Sequence, residues 1–125
     1  MRDVVSTKDA PQAIGPYSQA IRANGFIFLS GQTPIDPATQ QLISGSIAEQ
    51  TERVLRNLEA VLKQAGSSMS KVVRCGVFLK DMNDFAAMNE VYGKFFPSNP
   101  PARTTIQAAK LPKDCQVEID AIALE

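Results

Sequence analysis

At 125 residues the chain suits one domain, spanning 1–125, with enough length to bury a real core. Thirteen basic and thirteen acidic side chains cancel to a formal charge of zero, and no basic stripe is present, which disfavours nucleic acid as a partner. There is no histidine, so the commonest general base and the commonest metal ligand are both missing.

Two cysteines, Cys75 and Cys115, stand far apart with no ligand pattern around them. A zinc site needs more ligands than these, and a reduced cytosolic pair is expected. No window approaches the apolar length that spans a bilayer. The first six residues have no signal-peptide core, so the expected location is the cytoplasm. Any chemistry must come from carboxylates, arginine, hydroxyls, amides and the backbone.

In chain order, Val4-Val5-Ser6 reads as a short strand and Thr7 to Gly15 as a loop punctuated by Pro11 and Gly15-Pro16. Ser18 to Ala23 and Phe26 to Leu29 are strand candidates separated by Asn24-Gly25. That dipeptide is a strong hairpin signal, because both turn positions want positive φ. Ser30-Gly31-Gln32 is expected to end the second strand, and Thr33 to Gly45 to form a loop.

Ser46 then opens a helix, with Glu49 placed to complete a capping box. Ile47, Thr51, Val54, Leu55, Leu58, Val61, Leu62 and Ala65 share one helical face, and Gly66 is placed as the C-terminal cap. Glu52, Arg53, Arg56, Glu59 and Lys63 make the opposite, solvated face. Val72 to Leu79 is the next strand. Asp81 or Asn83 caps a second helix, whose Phe85, Met88, Tyr92, Phe95 and Phe96 repeat at helical spacing and read as core. The segment 97–101 stops it, and strands follow at Arg103–Ala108 and Cys115–Leu124.

The order of elements suggests an α+β fold, a mixed sheet with both helices on one face. One layer of helices leaves the other sheet face uncovered. In the last strand, Val117, Ile119, Ala121 and Ala123 point one way. Ile122 and Leu124 point the other, beside Glu118 and Asp120. Apolar residues on both sides imply burial on both sides, which self-association would supply.

The stretch from Pro100 to Ala123 carries the chemistry. Two prolines fix the backbone ahead of Arg103, whose planar guanidinium matches a carboxylate bidentately. Glu118, on the last strand, is a candidate for handling water or protons. On residues alone, an Arg103–Glu118 surface ion pair competes with that reading, and Asp120 competes with Glu118 for the acid-base role.

Pro101-Ala102-Arg103, Leu111-Pro112-Lys113-Asp114 and Val117 to Ala123 resemble the signature of the Rid family, the reactive intermediate deaminases also called the YjgF family, and its RidA subfamily in particular. So do Ile14-Gly15-Pro16-Tyr17-Ser18-Gln19-Ala20, Ser30-Gly31-Gln32 and Asn83-Asp84-Phe85 upstream. The resemblance implies a chorismate-mutase-like fold and homotrimers whose sheets close around a central barrel, with active-site clefts between subunits. It implies hydrolysis of 2-iminobutanoate and 2-iminopropanoate to 2-oxo acids and ammonia, without metal or other cofactor.

Residue by residue, the resemblance has Arg103 hold the substrate carboxylate and Glu118 position the attacking water. The main chain of Thr105, the Tyr17 hydroxyl, Asn89, Ser30 and Gly31 complete the pocket. Family members often carry cysteine where this chain has Thr105, and serine or alanine where it has Thr104; the change bears on pocket size more than on the reaction. Tyr17 read by itself would be a buried aromatic with a satisfied hydroxyl. The competing functions are a non-enzymatic binder of small carboxylates, an RNA-acting translation inhibitor and a chaperone-like role.

Overall fold

The computed structural model describes residues 2–125. Eight strands and two helices follow the chain: β1 Arg2–Val5, β2 Ala20–Ala23, β3 Phe26–Gln32, β4 Ile35–Asp36, β5 Gln41–Leu42, α1 Ile47–Gln64, β6 Val72–Leu79, α2 Phe85–Phe95, β7 Ala102–Gln107 and β8 Val117–Leu124. Six strands form one sheet in the order β1-β2-β3-β8-β6-β7, and β4 and β5 form a separate two-stranded ribbon. Only β6 and β7, joined through α2, run parallel in the large sheet. The fold is the expected α+β arrangement.

Local chemistry explains the element ends. Asn24 and Gly25 turn β2 into β3 with φ of 53° and 82°, as a tight hairpin requires. Ser46 Oγ accepts from the Glu49 amide at 3.2 Å while Glu49 Oε1 accepts from the Ser46 amide at 3.1 Å, the reciprocal capping box. At the other end of α1 the Ser67 amide donates to the Leu62 carbonyl at 2.9 Å and the Gly66 amide to Lys63 at 3.0 Å. Gly66 has φ +83°, so this is the left-handed cap that glycine makes without steric cost.

Both helices cover the same sheet face. Ile27, Leu29, Cys75, Val77, Leu79, Val117, Ile119, Ala121 and Ala123 meet Val54, Leu55, Leu58, Val61 and Leu62 there, all buried. Among the described residues nothing covers the opposite face. Phe26, Phe28, Ile106 and Leu124 are 36–47% exposed on it. Val4 lies across from Ile21, which pairs with Phe28, in the same row.

Ser30-Gly31-Gln32 ends β3 as expected, with a register slip between Leu29 and Gln32, so β3 carries a bulge against β8. Two other expectations change. The segment 33–45 is not a simple loop, since it holds the β4–β5 ribbon. Asp81 caps the 3-10 turn ahead of α2, its carboxylate accepting from the Asn83 amide at 2.9 Å, and α2 itself begins at Phe85. Both cysteines are free and buried.

Candidate active site

Glu118 and Arg103 lie on opposite faces of the sheet. Glu118 pairs with Phe78 on β6, and Arg103 pairs with Cys75. Those two positions are three residues apart on one strand, an odd number, so their side chains point to opposite sides. Burial agrees: Glu118 alternates with core residues Val117 and Ile119, and Arg103 touches α2. The Arg103–Glu118 ion pair is therefore ruled out within one protomer.

Glu118, Tyr17, Ser30 and Gly31 come together. They line a cleft of about 470 Å³ whose rim includes Ile35 and Lys113. The bulge in β3 brings the Gly31 backbone against the Glu118 side chain. A Cβ at Gly31 would overlap Glu118 Oε2 and lie 3.1 Å from its carboxyl carbon, so glycine is the residue that lets the carboxylate lie there. Ser30 Oγ donates to the Ser18 carbonyl at 2.6 Å, which ties the bulge to the chain leading out of the Tyr17 loop. Tyr17 is 51% exposed, so it is not the buried aromatic of the simpler reading.

The two carboxylates of β8 are sorted by their partners. Asp120 Oδ1 accepts from the Gly76 amide at 2.9 Å, which engages it in the sheet. Glu118 has no hydrogen-bond or ion-pair partner among the described residues. Burial pushes its pKa above the ordinary glutamate range, and the neighbouring Asp120 charge adds to the rise.

Irregular segments wall the cleft, and buried side-chain amides hold them. Gln19 accepts from the Thr7 amide at 2.7 Å and donates to the carbonyls of Thr7 and Pro11 at 3.1 and 2.7 Å. Asn57, fully buried on α1, donates to the Thr33 and Ile35 carbonyls at 3.2 and 2.9 Å. Gln50 accepts from the Gln116 amide at 3.0 Å and donates to the Gly45 carbonyl at 3.3 Å. Each amide supplies the backbone partners that an irregular buried segment cannot find in a ladder. The Leu-Pro-Lys-Asp turn at the rim puts Lys113 and Asp114 at φ 54° and 57°, a left-handed pair that costs about 1–2 kcal/mol per residue.

Arg103, Asn89 and Thr105 form a second group, at the free edge of the sheet beneath α2. Arg103 Nη1 donates to Asn89 Oδ1 at 2.7 Å. Its guanidinium carbon lies 4.7 Å from the Tyr92 ring centroid and 5.4 Å from that of Phe85. No carboxylate pairs with Arg103 among the described residues. Thr105, two residues on and facing the same side, has a buried hydroxyl with no hydrogen-bond partner among the described residues. Behind them the Cys75 thiol is pushed up by burial, against the pull of the Tyr92 hydroxyl. Burial likewise lifts Cys115 to about 11. Neither thiol is a poised nucleophile.

A family model described as endoribonuclease L-PSP matches residues 7–125. The human 2-iminobutanoate/2-iminopropanoate deaminase is 46% identical over 125 residues, covering 100% of this chain and 91% of that protein. Reactive Intermediate Deaminase A, chloroplastic, of Arabidopsis thaliana is 48% identical over 122 residues, 98% of this chain and 65% of that protein. The chain belongs to the Rid family.

Among solved structures, E. coli TdcF with bound serine superposes with a TM-score of 0.94 at 39% identity, covering 98% of each chain. Tyr17, Ser30, Gly31, Glu118 and Arg103 lie within the Rid motifs read from the sequence, and Asn89 and Thr105 lie outside them. The signature did not point to the supporting shell of this Rid chain. Gln19 lies within the Ile14–Ala20 motif with no assigned role, and Gln50 and Asn57 lie on the apolar face of a helix. A polar amide amid such a face was the signal that could have flagged them.

Proposed function

We propose that the protein hydrolyses small 2-imino acids, 2-iminobutanoate and 2-iminopropanoate, to 2-oxo acids and ammonia. The observation that carries this reading is the pair of incomplete half-sites: a guanidinium without a carboxylate partner, and a partnerless carboxylate seated against Gly31 in a cleft. Because they lie on opposite faces, one copy of the chain does not assemble them. A neighbouring copy, packed on the uncovered sheet face, brings its β7 edge to the Glu118 cleft. The homotrimer expected from the family does this in a closed ring.

Arg103 then holds the substrate carboxylate beside the imine carbon. Glu118 of the neighbour orients water and takes its proton as the water oxygen bonds to C2. The carbinolamine nitrogen recovers that proton and leaves as ammonia, and loss of the hydroxyl proton leaves the 2-oxo acid. A protonated imine is electrophilic already, so carboxylate and arginine suffice. Tyr17 closes the pocket, and the Thr105 main chain and Asn89 complete its Arg103 side. The zero net charge and absent histidines weigh against RNA cleavage, the activity named in the family's description.

A coupled assay tests the proposal. A pyridoxal-dependent dehydratase generates imino acid, and its disappearance is followed with and without the protein. Arg103→Ala is expected to lower turnover by ~100-fold or more with the assembly intact, since truncating one partner of a desolvated charge pair costs about 2–5 kcal/mol. Glu118→Gln is expected to lower turnover more than it weakens binding of a 2-oxo acid. Wild-type turnover by Arg103→Ala would remove the central assignment.

A further inference from the structure

Phe85, Asn89 and Tyr92 stand at i, i+4 and i+7 on α2, so they form one stripe along the helix. Arg103 lies across all three, against the Tyr92 and Phe85 rings and the Asn89 amide oxygen. Tyr92 is 5% exposed, and its ring lies 4.7 Å from that of Phe96, so the core fixes it. Phe85 is 36% exposed, more than a core aromatic needs. Its place beside the guanidinium accounts for that exposure.

We propose that Phe85 and Tyr92 are positioning residues that set the plane of the Arg103 guanidinium, with Asn89 fixing one of its N–H groups and the remaining donors left for a planar carboxylate. This rests on the reading of Arg103 as the substrate anchor. The attraction of a cation to an aromatic face grows as water is excluded, and the Tyr92 side of the contact is buried. An arginine with its plane fixed in advance loses less freedom when a carboxylate docks on its fork. Of the helix residues that read as core in the sequence, Met88 and Phe96 pack inward, while Phe85 and Tyr92 flank the arginine alongside Asn89.

The test uses the full chain with Phe85→Leu and Tyr92→Phe, and 2-oxobutanoate as the binding probe. Phe85→Leu should weaken 2-oxobutanoate binding about fivefold and raise KM by a similar factor, with kcat within about twofold. Tyr92→Phe keeps the ring and should leave the Arg103 Nε–H resonance where it is; a resonance moved toward that of a free arginine side chain would count against the ring contact. A readout independent of activity is the Arg103 Nε–H resonance, which the rings should displace and which Phe85→Leu should move toward that of a free arginine side chain. Wild-type affinity together with an unmoved resonance in Phe85→Leu would overturn the proposal. If the wild-type protein bound no 2-oxo acid, the deaminase reading would fall; the resonance would still decide the clamp, a shift supporting it and no shift overturning it.

Discussion

The two faces of the sheet are finished to different degrees. Under the helices, Arg103 sits among side chains of its own chain, with a ring on either contact and an amide at one N–H. On the other face Glu118 lines an open cleft, and the uncovered Phe26 and Phe28 lie farther along the same face, across from Leu124 and Ile122. Contacts within the chain are enough to preset the cation. The carboxylate side is preset only in part: the backbone around it is stapled by Gln19, Gln50 and Asn57, while its outer wall is missing. Under the proposed function, a site split in this way would make turnover depend on assembly, whereas the contacts on Arg103 come from its own chain.

The largest expected effect comes from breaking the open face. Phe28→Glu places a charge among apolar residues that a partner copy would bury, at a cost beyond what a small interface tolerates. Sedimentation should show monomers, and deaminase turnover should disappear with the assembly, while the helix content stays. Full activity in a monomeric variant would break the comparison outright. Next is Gly31→Ala. Its Cβ would overlap the Glu118 carboxylate, and a shift of about 1 Å in a reacting group can cost on the order of 100-fold. Turnover should fall by roughly that factor, with assembly and 2-oxo acid affinity much less affected.

A smaller effect is expected on stability alone. Asn57→Ala leaves the Thr33 and Ile35 carbonyls without their donor and should destabilise the fold by about 2–4 kcal/mol in a denaturant titration, given the usual cost of unsatisfied buried groups. The smallest concerns Glu118 as a titrating group. Its pKa is raised in the fold by burial and by Asp120, so the folded state favours the protonated form. The stability this lends is fully present below the ordinary glutamate value of 4.5. It is lost as pH rises through the raised one. Glu118→Gln should therefore melt at or above wild type at pH 7, with the gap closing toward pH 4.

Much of the scaffold was legible because its signals are local. The capping box at Ser46 and Glu49, the Asn24-Gly25 turn and the apolar run Val72–Leu79 all appear where the residues indicate. The ribbon of β4 and β5 was not legible, since strands of two residues show no alternation. The opposite facing of Arg103 and Glu118 was not legible either. Their relative side depends on how β7 and β8 each register against β6, and a slip of one residue would reverse it. The family motif pointed to Arg103 and Glu118, and the register places them on opposite sides of the sheet.

β8 lies between β3 and β6, at the middle of the large sheet, yet it is the strand made after all the others. In chain order β1 to β3 form one part of the sheet and β6 with β7 the other, and no strand ladder joins them until residues 117–124 follow. The two parts cannot zip into one sheet before that strand is present. Completion of the six-stranded sheet is therefore a late step, because it waits on β8.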